Sequence, residues 1–337
     1  MSDLRFVDVC AGAGGLALGL EQAGFDPVLL LDEKSVACDT LRMNRPAWRV
    51  LETDLLGFAP SRHREVYDVD LLSAGLPRVK SSATVARTET EAELRLLEAT
   101  VYLAHAVQPR ALIIENVPEL VGAPGFEPIR DLIRKELDHL GYRFRWFVLN
   151  AADFGVPQDR KQGVLVALRK QYFDAFRPPE PTAREHRSVG RALRRSMAMG
   201  GWRDADRWAA QALSVAPTLV GGSDRRGGAD LGPTGTKKAW ARMGVDGGTV
   251  ADKVPGPDFV WAPETGRHGM VRITTDQAAL LQGFPPDWRF VGKKTARYRQ
   301  IGHASPPPVG RALGLAIRAA LEMPQSTTSV AGYTSIP

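Results

Sequence analysis

The chain has 337 residues, 44% hydrophobic and 24% charged, a globular composition that excludes a disordered or fibrous protein. Forty-four Lys and Arg against 38 Asp and Glu leave a net charge of +6, compatible with an acidic partner such as nucleic acid. Two cysteines, Cys10 and Cys38, exclude a disulfide scaffold and a four-cysteine zinc site, so no metal centre is expected. No apolar run reaches the ~18 residues of a membrane span, and Met1-Ser2-Asp3-Leu4-Arg5 is not a signal peptide, so the expected setting is the reducing cytoplasm.

Short apolar runs alternate with helical patterns through the first 169 residues. Strands are predicted at 6–10, 28–31, 69–73, 111–115, 144–149 and 164–168. Helices are predicted at 15–23, 91–106 and 129–140, where Leu16 and Leu20, or Leu94, Leu97 and Val101, recur at helical spacing. This alternation predicts a doubly wound α/β domain with a parallel sheet and crossover helices, which binds ligands at the carboxyl ends of its strands.

The run Asp8-Val9-Cys10-Ala11-Gly12-Ala13-Gly14-Gly15 follows the first strand and opens a helix. Its glycines allow a sharp turn and close approach of a ligand, and the helix start offers free N–H groups. Asp32 and Glu33 end the second strand, where a carboxylate accepts ribose hydroxyls. These features alone leave a nicotinamide or flavin fingerprint, Gly12-x-Gly14-x-x-Ala17, and a glycine turn without ligand both open.

Residues 170–270 differ in texture. They carry 16 basic and 11 acidic side chains, so five of the six excess positive charges fall here, and 217–269 is dense in Gly and Pro. The reading is a basic, loop-rich second domain, the alternative being a solvated surface insertion. The expected organisation is 1–169, 170–270, 271–322 returning to the first domain, and a flexible polar tail at 323–337.

Further motifs follow in order: Thr53-Asp54, Glu115-Asn116-Val117, Asn150-Ala151-Ala152-Asp153-Phe154-Gly155-Val156-Pro157-Gln158, Leu281-Gln282-Gly283-Phe284-Pro285, and Gln300-Ile301-Gly302-His303-Ala304-Ser305-Pro306-Pro307-Pro308-Val309. Together with the glycine loop and Asp32-Glu33, they resemble the DNA cytosine-C5 methyltransferase family over nearly the whole chain. The resemblance implies a Rossmann-like methyltransferase fold and the cofactor S-adenosylmethionine (SAM). Ala11, Gly12, Gly14 and Gly15 would carry its methionine end, Asp32 or Glu33 its ribose and Asp54 its adenine. His303, where the family has Asn, and Ser305 would belong to the cofactor wall.

The resemblance also implies that 170–270 is a target-recognition domain for double-stranded DNA, with Pro217-Thr218-Leu219 as its short Thr-Leu element. Arg225, Arg226, Lys237 and Lys238 would serve phosphates, whereas Trp202, Trp208 and Trp240 read more readily as core than as base-stacking platforms.

Family chemistry flips the base out and adds a cysteine thiolate to cytosine C6, while a Glu protonates N3 and an Arg holds O2. Glu115 and Arg160 match that machinery. Two positions depart from it. Gly75-Leu76-Pro77-Arg78 places Arg78 at the nucleophile position, and Gln158-Asp159-Arg160-Lys161-Gln162 places Gln162 at the base-clamp position. A guanidinium has no available lone pair at neutral pH, and Ser81 and Ser82 have no adjacent base.

The expectation is therefore a SAM- and DNA-binding member that does not transfer methyl to cytosine C5 alone, with a partner methyltransferase subunit as one setting. The alternative is an active SAM-dependent enzyme working on another atom or substrate. Arg78, Lys80 and Arg87 also read as a basic loop able to grip phosphate.

Overall fold

The computed structural model describes residues 4–79, 87–222 and 228–323. Lys80, Ser81, Ser82, Arg225, Arg226, the side chain of Arg87 and the tail beyond Met323 lie outside the described residues.

The strands in chain order are β1 (Leu4–Val9), β2 (Phe25–Asp32), β3 (Val50–Glu52), β4 (Leu71–Gly75), β5 (Ala111–Asn116), β6 (Tyr142–Asn150), β7 (Gln158–Asp159), β8 (Lys161–Arg169) and β9 (Ala216–Pro217). Seven form one sheet in the order β3-β2-β1-β4-β5-β8-β6, and β7 pairs with β9 separately. The central strands β1, β4 and β5 are mostly apolar and buried because both faces are covered. On β1, Phe6 packs into one buried cluster and Val7 into the other, the side-chain alternation of a strand between two helical layers.

The sheet is mixed rather than parallel. β8 runs antiparallel to both β5 and β6, with Asn150 opposite Lys161. The expectation of an all-parallel sheet fails there because only ten residues separate the end of β6 from the start of β8. That is too short for the crossover a parallel pair needs, so the chain turns back.

The helices are α1 (Gly15–Gln22), α2 (Ser35–Asn44), α3 (Arg87–Val107), α4 (Glu119–Gly122), α5 (Glu127–His139), α6 (Lys170–Phe173), α7 (Val189–Ala198), α8 (Ala205–Gln211), α9 (Thr234–Arg242), α10 (Thr275–Leu281), α11 (Lys294–His303) and α12 (Pro307–Glu322). Helix α12 lies directly on α1. A Cβ on Gly19 would stand 2.4 Å from the Pro307 carbonyl oxygen and 2.5 Å from the Arg311 nitrogen, so only glycine permits this crossing.

The described residues of segment 170–270 hold four helices, more regular structure than its Gly and Pro content predicts. Trp202, Trp208 and Trp240 are all buried, with the Trp202 and Trp208 indole N–H groups on the carbonyls of Phe259 and Met243. They are core residues, as the sequence reading favoured. Asp246 is buried beneath Arg267 and Arg272, each 2.8 Å from one of its carboxylate oxygens.

Candidate active site

The parallel strands β1, β2, β4 and β5 all end on one side, so every motif that follows one of them meets there. After β1 the chain leaves the ordinary φ range at Cys10 (φ 52°), Gly12 (53°) and Gly14 (83°), curls under Leu31 and enters α1. A Cβ on Gly12 would meet nothing within 4 Å, so that turn of backbone faces open space. Gly15, by contrast, is packed shut: a Cβ there would lie 1.9 Å from the Ser305 carbonyl oxygen. The four residues from Ala11 to Gly15 assigned to one cofactor role thus divide, Gly12 forming the open rim and Gly15 the packed base.

Asp32 is buried, accepting N–H bonds from Gly12 at 2.8 Å and Lys34 at 2.9 Å. Burial raises its pKa, opposed by those two N–H groups and the Lys34 charge. It therefore fixes the glycine loop to the end of β2 while Glu33, next along, is exposed. Asp54 follows β3, exposed, with Oδ1 accepting from the Leu56 N–H. Asp8, on β1, is buried opposite Ser73 of β4 and takes its hydroxyl hydrogen bond at 2.5 Å.

On the other side of the cleft, Arg78 is set by Asn116. The side-chain oxygen of Asn116 accepts from the Val79 N–H at 3.0 Å and its amide donates to the Pro77 carbonyl at 3.1 Å. The two bonds straddle Arg78 and hold the segment that follows β4. Glu115, the residue before Asn116, is buried at the end of β5. Arg160 is 1% exposed, with Nη1 on the Leu219 carbonyl at 3.0 Å. Burial, then the charge of Arg78, push its pKa down to about 9 against the pull of Glu115.

Gln162 is withdrawn from this cleft. It is fully buried and donates to Ser305 Oγ at 2.9 Å, joining the start of β8 to the residue that packs on Gly15. His303 ends α11, and its ring bonds the Gly222 carbonyl at 3.0 Å. A carbonyl only accepts, so Nε2 carries the proton. Loss of solvent around the ring, then Lys34, lower its pKa to about 4, and Arg160 and Arg299 act the same way. The imidazole is neutral and its observed partner belongs to segment 170–270.

Sequence reasoning passed over one buried device. Gln158 accepts from the Leu219 N–H at 2.8 Å and donates to the Leu281 carbonyl at 3.1 Å and to Gln282 Oε1 at 2.7 Å. Gln282 in turn donates to the Ala304 carbonyl. Four motifs distant in sequence are joined by two amides, and the available signal was a glutamine inside each of two of the motifs. Thr218 adds a bond from its hydroxyl to the Asp159 carbonyl at 2.6 Å.

Neither thiol reaches this place. Cys38 is buried on α2, and burial with the Asp32 charge pushes its pKa up to about 11. Cys10 directly follows β1, and the pKa of its thiol is raised further by burial and by Asp32 and Asp8.

Residues 4–319 match the family described as C-5 cytosine-specific DNA methylase. The chain belongs to that family. It is 43% identical over 326 residues to the Type II methyltransferase M.NaeI of Lentzea aerocolonigenes, covering 96% of this chain and 76% of that one. It is 39% identical over 322 residues to M.NgoMIV of Neisseria gonorrhoeae, covering 94% and 97%. Among solved structures it resembles a putative DNA modification methyltransferase encoded within an E. coli prophage, with a TM-score of 0.66, 20% identity, and 95% and 100% coverage. Spodoptera frugiperda DNMT2 gives a TM-score of 0.62 at 16% identity, with 95% and 100% coverage. The fold is that of the SAM-dependent DNA methyltransferases, whose methyl donor is SAM. No helix among the described residues is long and apolar enough to cross a membrane, and none of their His, Cys, Asp and Glu clusters could hold a metal.

Proposed function

We propose that this protein binds SAM and double-stranded DNA but does not methylate cytosine C5 by itself, acting beside a catalytically complete methyltransferase. The observation that carries this reading is Arg78 held after β4 by Asn116, which bonds the residues on both sides of it. A guanidinium cannot add to C6, and the two thiols, Cys38 buried and Cys10 half-buried, both have raised pKa values. Gln162, bonded to Ser305, does not take up the clamp. Two steps of the family chemistry, nucleophilic addition and the hold on O2, thus lack their side chains.

The cofactor end of the cleft fits SAM. Gly12 offers an open backbone, Gly14 supports the left-handed turn into α1, and Ala11 and Gly15 frame it. Asp32 keeps this loop in place, Glu33 and Asp54 present exposed carboxylates to ribose and adenine, and Ser305 and His303 close the wall. SAM, when bound, supplies an electrophilic methyl group. Glu115 and Arg160 keep a polar pocket opposite that end. DNA would be held by the basic recognition segment, whose excess of positive charge suits the backbone phosphates.

The test is a set of measurements on the purified protein: SAM affinity, duplex affinity, and transfer of labelled methyl from SAM to DNA. Binding of both without labelled cytosine is expected. Label in cytosine would refute the proposal, and label on another atom or molecule would establish an enzyme of different specificity. Arg78→Cys then asks whether a nucleophile is all that is missing; with Gln162 in place, at most slight activity is expected.

A further inference from the structure

Residues 288–321 carry seven Lys and Arg and no Asp or Glu, whereas the remaining residues outside 170–270 hold 21 basic and 27 acidic side chains. The positive charge is therefore concentrated, and Lys293, Lys294 and Arg297 gather it at the start of α11. These three residues line one cleft of about 280 Å³ together with Asp252, Thr275 and Gly292. We infer that this cleft binds a phosphate group between Lys293 and Arg297.

The wall of the cleft is fixed before any ligand arrives, which lowers the cost of binding. Asn44 of α2 donates to the Arg289 carbonyl at 2.7 Å and accepts the Arg289 N–H at 2.8 Å. Thr40 Oγ1 accepts the Val291 N–H at 3.0 Å, and the Gln300 amide donates to the Val291 carbonyl at 2.8 Å. Gly292 follows at φ 103°, where a Cβ would stand 3.0 Å from that of Ala296 and 3.2 Å from the Val36 side chain. Its carbonyl accepts the Arg297 Nε–H at 2.7 Å, which steadies the guanidinium through one nitrogen and leaves the two terminal nitrogens for an oxyanion.

The charge balance favours an anion. Lys294 Nζ lies 3.1 Å from the Asp252 carboxylate, so the one acid of the cleft is engaged and the exposed Lys293 and Arg297 stay uncompensated. Both stand at the positive end of the α11 dipole, where the first turn has no acidic residue and no side-chain cap. Cations are unfavourable there, and an anion offsets both the dipole and the mutual repulsion. A carboxylate is filled by one guanidinium, whereas a phosphate has further oxygens for Lys293 and the Thr275 hydroxyl. The phosphate comes either from the DNA backbone or from solution. Asp252 lies in segment 170–270 and α11 in the returning part of the chain, so a DNA phosphate held here adds a contact beyond segment 170–270. The DNA source rests on the proposed function; the phosphate chemistry does not.

The experiment uses the full chain with Lys293→Ala, Arg297→Ala and the two combined, each checked by thermal melting for an unchanged fold. Arg297→Lys is the conservative variant. Lys135→Ala, which removes an exposed charge from α5 in the other helical layer, is the control. A short duplex is titrated by fluorescence anisotropy at several salt concentrations, and inorganic phosphate by calorimetry in chloride buffer. Each single change to Ala should reduce the magnitude of the log affinity against log salt slope by about one, equally on two duplexes of unrelated sequence, because a phosphate contact does not read bases. That result, with Arg297→Lys restoring part of the affinity and Lys135→Ala matching wild type, establishes a DNA phosphate. A loss of about tenfold or more in phosphate affinity in the combined variant, with duplex binding unchanged, establishes free phosphate instead. Equal duplex affinity, salt slope and phosphate affinity in wild type and the combined variant overturn the inference, as does an equal loss in Lys135→Ala. A wild type that binds no duplex refutes the DNA half of the proposed function and leaves the phosphate titration to decide this one; if neither probe binds, both fall.

Discussion

Asp8 gives the chain a measurable pH signature. It is fully buried on β1, Oδ1 takes the Ser73 hydroxyl, and Oδ2 has no partner. Burial is the largest influence on it, Ser73 opposes, Asp32 adds repulsion, and its pKa rises from 3.8 to about 7. Between those values the folded protein keeps a proton that the unfolded chain has released. Its contribution is therefore fully present below about pH 4, is lost as pH rises to about 7, and is constant above that. At ~1.4 kcal/mol per unit, wild type should lose about 2 to 3 kcal/mol between pH 5 and 8 relative to Asp8→Asn, which keeps the shape without titrating. Urea unfolding of both proteins followed by circular dichroism gives this difference. Other titrating groups cancel in it, including His303, whose lowered pKa acts in the opposite sense. A difference between the two proteins that stays flat from pH 5 to 8 would refute the reasoning.

Gly19→Ala should destabilise by about 3 kcal/mol or more, because its Cβ would enter the backbone of α12; the urea midpoint falls if so. Gln158→Leu leaves the Leu219 N–H, the Leu281 carbonyl and Gln282 Oε1 without their partner. At ~1 to 3 kcal/mol per orphaned group it should cost at least about 3 kcal/mol by the same measurement. Asp246 is drawn upward in pKa by burial but lowered overall by Arg267, the Gly248 N–H and Arg272. Its stabilisation is present above the unfolded value and lost as pH falls through the lower folded one. Both arginines are substantially exposed, so Asp246→Asn should cost only ~1 to 2 kcal/mol at pH 7, with the gap from wild type closing as an acid titration proceeds.

The strands with continuous apolar runs were legible: five of the six predicted spans fall wholly inside observed strands, or overrun them by one residue as at Cys10, and the span at 69–73 overlaps β4 with a shift. Period alone identifies such runs because their side chains fill two opposite cores. β3 escaped because three residues carry no pattern, and the direction of β8 escaped because polarity along a buried strand leaves no trace in its composition. α9 was hidden by glycine, threonine and lysine in its first two turns. In the site, Arg78 could be placed from Gly75 and Pro77 alone, yet the reason it is fixed there, Asn116 bonding on both sides of it, lies 37 to 39 positions away. Asp32 and Glu33 were indistinguishable as neighbours in a motif. The fold separates them, one carboxylate into the glycine loop and the other outward.

By itself, then, the sequence determined which residue types stand in each motif: a glycine loop after the first strand, Glu115, Arg78 and Gln162. These follow from order and spacing within short stretches, where the backbone sets the geometry. Tertiary structure decided which of them share a space. Gln162 turned to Ser305, His303 to Gly222, and Arg160 was buried beside a second guanidinium with one fork unspent. Those outcomes depend on burial, and burial is fixed only when α12, segment 170–270 and the sheet close around the same cleft.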